Sequence, residues 1–346
     1  MAANERQRGR GPGRRAGSAL LAALAGSALL AATCSEAEAV IEPELVLEPV
    51  RAPSWLGRRA YDHVATLVSY GPRFTGSVGW EKGLDYIATA LRERAGLEPV
   101  RDRWTDSASG VTFENISATV PGQQRHRLLI ACHHDTKKCE GHPDAAHNFP
   151  FVGANDSGSG VGLVLALAEA LKDWQGEATL QFVFFDGEES LPFDWDEAQA
   201  LFGSKRFVAA EEAAQAQGGA GGAVRALVLL DMVGAHDLQI DEEEYSTPEL
   251  TEIVRAAAKA CGHQKRFFQD AWPINDDHVP FLKADIPAID LIDLWDNPQW
   301  HTADDTLEHI SADSLHLVGE VVMTALPAVQ ARYVPPRGEL TLPGGR

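Results

Sequence analysis

The spacing of apolar residues changes along the chain, and the changes mark its elements. Ala60, Val64, Leu67 and Val68 recur at helical spacing within residues 59–70, and Gly71-Pro72 ends that segment. A second helix is predicted over 80–95, with Leu84, Ile87, Ala88 and Leu91 on one face and Gly96 as its stop. Three strand candidates follow, near 98–104, 111–120 and 128–132, with Pro121-Gly122 as the turn before the third. Beyond them the two periods alternate. Helices are predicted over 158–171, 199–215, 247–261, 278–283 and 312–329, and strands over 179–185, 226–230, 266–269 and 288–292, with a Gly-rich loop at 218–222. Phe182-Val183-Phe184-Phe185 is apolar at every position, as suits a strand buried on both faces of a parallel sheet. Alternation on this scale predicts a single three-layer α/β domain, its central, mostly parallel mixed sheet flanked by helices.

Both ends fall outside that pattern. Arg6, Arg8, Arg10, Arg14 and Arg15 precede an uncharged run of small apolar residues at 16–33, the layout of a bacterial export signal over 1–34. Cys34 follows Ala31-Ala32-Thr33, so lipoprotein processing at Cys34, ordinary cleavage nearby and an uncleaved anchor all stay open. The expected location is accordingly periplasmic, secreted or lipid-anchored in a bacterium, with membrane contact only through a lipid on Cys34. Residues 35–55, rich in Ala, Glu and Pro, read as a linker, 56–333 as the folded domain and 334–346 as a loose tail. No apolar stretch beyond the N-terminal one approaches the roughly 20 residues that span a bilayer.

Composition adds one exclusion. The formal net charge of the 346 residues is -20 despite the basic N-terminus. Such acidity argues against nucleic acid and anionic membrane surfaces as partners. Export permits disulfides, and Cys132 and Cys139 are close enough in sequence to pair across a loop.

Chemistry collects where strands end, as open α/β sheets favour. The central strand runs into Asp186-Gly187-Glu188-Glu189, the strand at 128–132 into His133-His134-Asp135, and the strand at 226–230 into Asp231. Asp156 stands before a helix, and the loop after the last strand carries Trp300-His301-Thr302. Singly, each has an ordinary role: Asp156 as a helix cap, Asp231 as a loop acceptor, His301 as a surface histidine. Jointly they place oxygen and nitrogen ligands without a thiolate along one sheet rim, the donor set of a hydrolytic Zn²⁺ site. Glu188, next to a ligand, is then placed to move protons.

The stretches that carry a resemblance are Gly71-Pro72-Arg73-Phe74-Thr75-Gly76-Ser77, Ala131-Cys132-His133-His134-Asp135, Phe151-Val152-Gly153-Ala154-Asn155-Asp156-Ser157 and Phe184-Phe185-Asp186-Gly187-Glu188-Glu189. Leu229-Leu230-Asp231-Met232-Val233-Gly234, Asp276-Asp277-His278-Val279-Pro280-Phe281 and Trp300-His301-Thr302 complete them. In order and spacing the region from Gly71 to about Pro327 resembles the zinc aminopeptidase family of α/β exopeptidases, and within it the animal-type glutaminyl cyclases. The resemblance implies a zinc-dependent catalytic domain with metal ligands Asp156, Glu189 and His301 and Glu188 as the proton shuttle. A second zinc, as in the aminopeptidases, would use His133 and Asp231 with Asp156 bridging.

Three features lean toward the cyclases: the long segment between Glu189 and Gly203-Ser204 with Trp195 in it, Trp300 before the ligand histidine, and Asp276-Asp277-His278. They imply Trp195 and Trp300 as substrate-pocket walls and Asp231 and Asp276 as catalytic-network carboxyls. The implied reaction turns an N-terminal glutaminyl residue of a peptide into pyroglutamate with one zinc per chain. The alternative is a two-zinc aminopeptidase. A non-catalytic binding module on the same scaffold is disfavoured because every ligand and Glu188 are present. The animal enzymes also carry a disulfide whose first Cys matches Cys132, but its usual partner position holds no Cys here, leaving Cys139 as a substitute or Cys132 free.

Overall fold

The computed structural model describes residues 45–218, 222–295, 297–334 and 336. The export segment, Cys34, the first part of the linker, the middle of the Gly-rich loop and most of the tail lie outside the described residues.

Eight strands and seven α-helices make up the described chain. The strands are β1 (Val100–Thr105), β2 (Thr112–Val120), β3 (Arg127–His133), β4 (Thr179–Phe185), β5 (Val224–Asp231), β6 (Ile240–Glu243), β7 (Phe267–Trp272) and β8 (Ala288–Ile292). The helices are α1 (Leu56–Val68), α2 (Val78–Ala90), α3 (Gly158–Ala170), α4 (Phe202–Ala216), α5 (Pro248–Ala260), α6 (His278–Lys283) and α7 (Ala312–Tyr333). Six strands form one sheet in the order β1-β2-β4-β3-β5-β8. β4, β3, β5 and β8 run parallel, whereas β1 pairs antiparallel with β2, and β2 antiparallel with β4. β6 and β7 pair separately.

The apolar runs in β3 and β4 serve two layers. Leu128, Ile130, Leu180, Phe182 and Phe184 join a core with Leu56 and Val64 of α1, Leu163 and Leu167 of α3, and Val318 and Val322 of α7. Leu129, Ala131, Val183 and Phe185 pack on the opposite side with Val208 of α4 and Phe281 of α6. Burial on both faces fixes the strand register, since a one-residue slip would exchange the two sets. Gly160 lets α3 lie close to the sheet, because a Cβ there would come 2.4 Å from the Leu230 carbonyl oxygen.

Most predicted elements stand within a few residues of their expected bounds. β6 was not anticipated, because Ile240-Asp241-Glu242-Glu243 has one apolar residue and no alternation. α4 starts at Phe202 rather than 199, since a 3₁₀ turn over Glu197–Gln199 and a left-handed Leu201 come first. The described end of the linker is tied down: Leu47 and Ala52 pack on the core, and the Val50 amide donates to Thr324 Oγ1 at 2.9 Å. Val334, which the sequence assigned to the loose tail, is buried. Cys132 and Cys139 are buried free thiols and Cys261 is also free, so the suggested Cys132–Cys139 pairing is not formed.

Candidate metal centre and active site

The parallel strands deliver their terminal residues to one rim. β3 ends in His133 and β5 in Asp231, while β4 ends one residue before Asp186. Asp186 is fully buried and fixes the turn that follows: its carboxylate accepts from Thr75 Oγ1 (2.8 Å), Trp80 Nε1 (3.0 Å) and the Glu114 amide (2.7 Å). Gly187 then takes φ +68°, with the Phe113 ring so near that a Cβ would lie 2.6 Å from it. Only glycine fits that turn, and it aims Glu188 and Glu189 over the rim.

Asp156 sits in the loop before α3, and other parts of the chain hold that loop. Asp305 accepts the amides of Asn155 (2.7 Å) and Asp156 (3.0 Å). The buried guanidinium of Arg73 donates to the carbonyls of Val152 (2.6 Å) and Gly153 (2.9 Å). Gly153 has φ +51°, and a Cβ there would lie 1.9 Å from the Asp156 carbonyl oxygen. The Asp156–Ser157 peptide is cis.

Two donor sets result, Asp156 with Glu189 and His301, and His133 with Asp156 and Asp231, each with ligand atoms within 4.8 Å of one another. His301 Nε2 lies 3.0 Å from Glu189 Oε1 and 3.3 Å from Asp156 Oδ2. His133 Nε2 lies 3.2 Å from Asp231 Oδ1 and 3.3 Å from Asp156 Oδ1. Asp156 therefore turns one oxygen to each imidazole. Every predicted ligand position converges, the second-metal positions included. Two carboxylates and an imidazole suit zinc, and the surrounding negative charge is what a divalent cation would neutralise. Asp135 Oδ1, 3.5 Å from His133 Nδ1, stands where a carboxylate orients a ligating imidazole.

Electrostatics separate the carboxyl groups. Burial would raise Asp156, but hydrogen bonds with His133 and His301 override it and hold the carboxylate below its usual range. Burial pushes Glu188 well above the usual carboxyl range, and the charges of Asp276 and Glu189 add to that while His133 opposes it. Burial likewise lifts Asp231 to about 7. Asp276 is raised by burial. Burial alone would lower His301, yet Glu189 and Asp156 bring it up to about 10.

Glu188 is buried beside the donor sets, its Oε2 4.0 Å from His133 Nδ1 and its amide donating to Asp135 Oδ1 at 3.3 Å. Trp300 stacks on His301 with ring centroids 4.5 Å apart and is 45% exposed, so it forms rim rather than core. Trp195 is equally exposed at 45% and makes no ring contact with site residues among the described residues. The backbone is left-handed at Met232 (φ 49°), next to Asp231, and at His301 (φ 52°), which is uncommon away from glycine. Sequence reasoning gave no role to Arg73, Asp305 or Lys137. Lys137 is buried, donates to Ser190 O (3.0 Å) and Oγ (2.9 Å), and places Nζ 3.5 Å from Glu189 Oε2. The available signals were Arg73 after Gly71-Pro72 and Asp305 shortly after His301.

This α/β sheet, with two metal-type donor sets on its carboxyl rim, is that of a metallopeptidase-like protein, and the chain belongs to peptidase family M28, whose family model matches residues 115–326. Among individual proteins it is similar to the glutaminyl-peptide cyclotransferase-like protein of Bos taurus, 30% identical over 279 residues that cover 73% of this chain and 71% of that one. An Acidobacteriales bacterium glutaminyl cyclase superposes with a TM-score of 0.72 at 29% identity, covering 82% of this chain and 97% of that one. A leucine aminopeptidase precursor from Bacteroides thetaiotaomicron superposes with a TM-score of 0.70 at 26% identity, covering 81% and 98%.

Proposed function

We propose that the protein is a zinc-dependent glutaminyl-peptide cyclotransferase that converts N-terminal glutaminyl residues of peptides to pyroglutamate and releases ammonia. The observation that carries this reading is the buried carboxyl cluster of Glu188, Asp231 and Asp276 beside the Asp156–Glu189–His301 set. The similarity to named cyclotransferases supports it.

One zinc held by Asp156, Glu189 and His301 would supply Lewis-acid polarisation of the substrate's side-chain amide carbonyl. The substrate's neutral α-amine attacks that carbon, so the C–N bond of the lactam forms and the bond to the amide nitrogen breaks. Both groups belong to one residue, so orientation contributes much of the acceleration. Glu188 accepts the proton lost by the amine and returns it to the departing nitrogen, which leaves as ammonia. Burial, which raises this carboxyl well above the usual range, strengthens it as a proton acceptor. Asp231 and Asp276 orient Glu188 and the leaving nitrogen, and Trp300 and Trp195 border the entrance. Residues 1–34 support an exported or lipid-anchored location.

The competing reading is a two-zinc aminopeptidase. The second donor set of His133, Asp156 and Asp231 favours it, and so does the likeness to an aminopeptidase precursor. Purified, metal-quantified protein incubated with a Gln-initiated and a Leu-initiated peptide separates the two. Loss of one ammonia from the Gln peptide alone, with zinc near one per chain, is expected. Release of free Leu with zinc approaching two would overturn the cyclase reading.

A further inference from the structure

The segment between Glu189 and Gly203 holds Trp195 in place without help from the indole itself. That side chain is exposed and takes part in no ring contact or hydrogen bond among the described residues. Its position therefore comes from the backbone around it. Apart from the 3₁₀ turn at Glu197–Gln199 that backbone has no regular structure, so ordering it costs conformational entropy that specific contacts must offset.

Those contacts come from the loop of residues 137–151, which starts and ends at the metal centre. At its start Lys137 lies beside Glu189 and donates to Ser190 O (3.0 Å) and Oγ (2.9 Å). Ser190 Oγ in turn shares its proton between the carbonyls of Pro192 (2.8 Å) and Asp194 (3.1 Å). At the far end of the loop the buried Phe151 ring meets His301 edge-on, with centroids 5.8 Å apart. In between, the loop supplies His142 and His147. Their rings pack on Phe193 at centroid distances of 4.5 Å and 4.6 Å, and edge-on against each other at 5.2 Å. The Asp144 amide donates to His142 Nδ1 (3.0 Å) and the Gly141 amide to Asn148 Oδ1 (3.0 Å), which closes the turn that carries the two imidazoles. All three rings are half-buried, and neither imidazole belongs to the two donor sets. They form a clasp at the surface, two residues away from Trp195.

We propose that His142 and His147 are positioning residues for the substrate pocket: with Phe193 they fix the 190–200 segment and thereby the place of Trp195 at the entrance. The inference rests on the cyclase reading for what Trp195 borders, whereas the clasp itself can be measured without substrate.

The test uses the full, zinc-loaded chain and two double variants. His142→Ala with His147→Ala removes both rings, and His142→Phe with His147→Phe keeps two rings against Phe193. The Ala double is expected to raise KM for a Gln-initiated peptide by about five- to thirtyfold, the factor that two lost aromatic contacts give, with kcat within about twofold and zinc content as in wild type. The Phe double should return KM to within about threefold of wild type. Hydrogen exchange over residues 190–200 is the second readout. The Leu191 amide, bonded to the Gln199 carbonyl at 2.9 Å, and the Gln199 amide, bonded to the Asp196 carbonyl at 2.8 Å, report on the segment. Faster exchange in the Ala double with wild-type exchange in the Phe double supports the clasp. Unchanged exchange in the Ala double overturns it, and so does faster exchange with an unchanged KM or a loss confined to kcat. Should the Ala double fail to fold, His147→Ala alone carries the same comparison. If wild type leaves a Gln peptide unchanged, the cyclase reading fails, while exchange still decides whether the clasp holds the segment.

Discussion

Glu188 and Glu189 are adjacent and chemically identical, yet their surroundings assign them different work. Both are buried, but Glu189 faces His301 and has Lys137 beside it, whereas burial and the charges of Asp276 and Glu189 raise Glu188 well above the usual carboxyl range. Glu188→Gln should therefore lower kcat by roughly a hundred- to ten-thousandfold while zinc content stays at the wild-type value. His301→Ala should lose zinc instead, and metal analysis of both variants beside their rates checks the division. The residues that sequence made legible are those whose type alone announces a ligand or a base, at strand ends. Arg73 and Lys137 were not, because they act mainly on backbone carbonyls, and no residue pattern records which carbonyl a buried cation will meet.

Helices α1 and α2 show what an interior titratable group does to an element. His63 of α1 is buried, and its Nδ1 is 2.7 Å from the Tyr86 hydroxyl of α2. Burial, helped by Arg59 and Arg94, lowers its pKa from 6.5 to about 4. The unfolded chain thus binds the extra proton first. Its stabilising contribution is complete above about pH 6.5 and falls as pH drops toward 4, by up to about 3 kcal/mol. Urea unfolding at pH 7.5 and pH 5 should give a smaller difference for His63→Gln than for wild type, and an unchanged difference would refute this account of His63. Elements marked by apolar runs were legible, down to the bounds of β4 and α6. β6 was not, since its placement beside β7 comes from tertiary packing rather than from its own acidic sequence.

For the whole molecule, alternating strands and helices made the α/β class legible, and the ligands at strand ends made the rim legible. Strand order was not: nothing local to β1 and β2 says that they run antiparallel on the β4 side of a parallel sheet. The rim joins loops far apart in sequence, so a cation held there ties the fold together as well as serving chemistry. Removing zinc with a chelator should lower Tm by several degrees, since loss of a ligand that binds only the native state subtracts its linkage free energy. Re-addition of zinc should restore it, and a Tm indifferent to verified metal removal would detach the site from stability.

Asp156 gives one oxygen to the His133 side and the other to the His301 side. On the proposed reading, a scaffold joined in this way places two trades within a short evolutionary walk. A lineage could pass from peptide trimming to ring closure while keeping every ligand, because the choice falls to the neighbouring acids that retain protons. Inventories of ligands would then misjudge members of such a lineage, and the informative letters would be those beside the ligands, at positions such as 188 and 276.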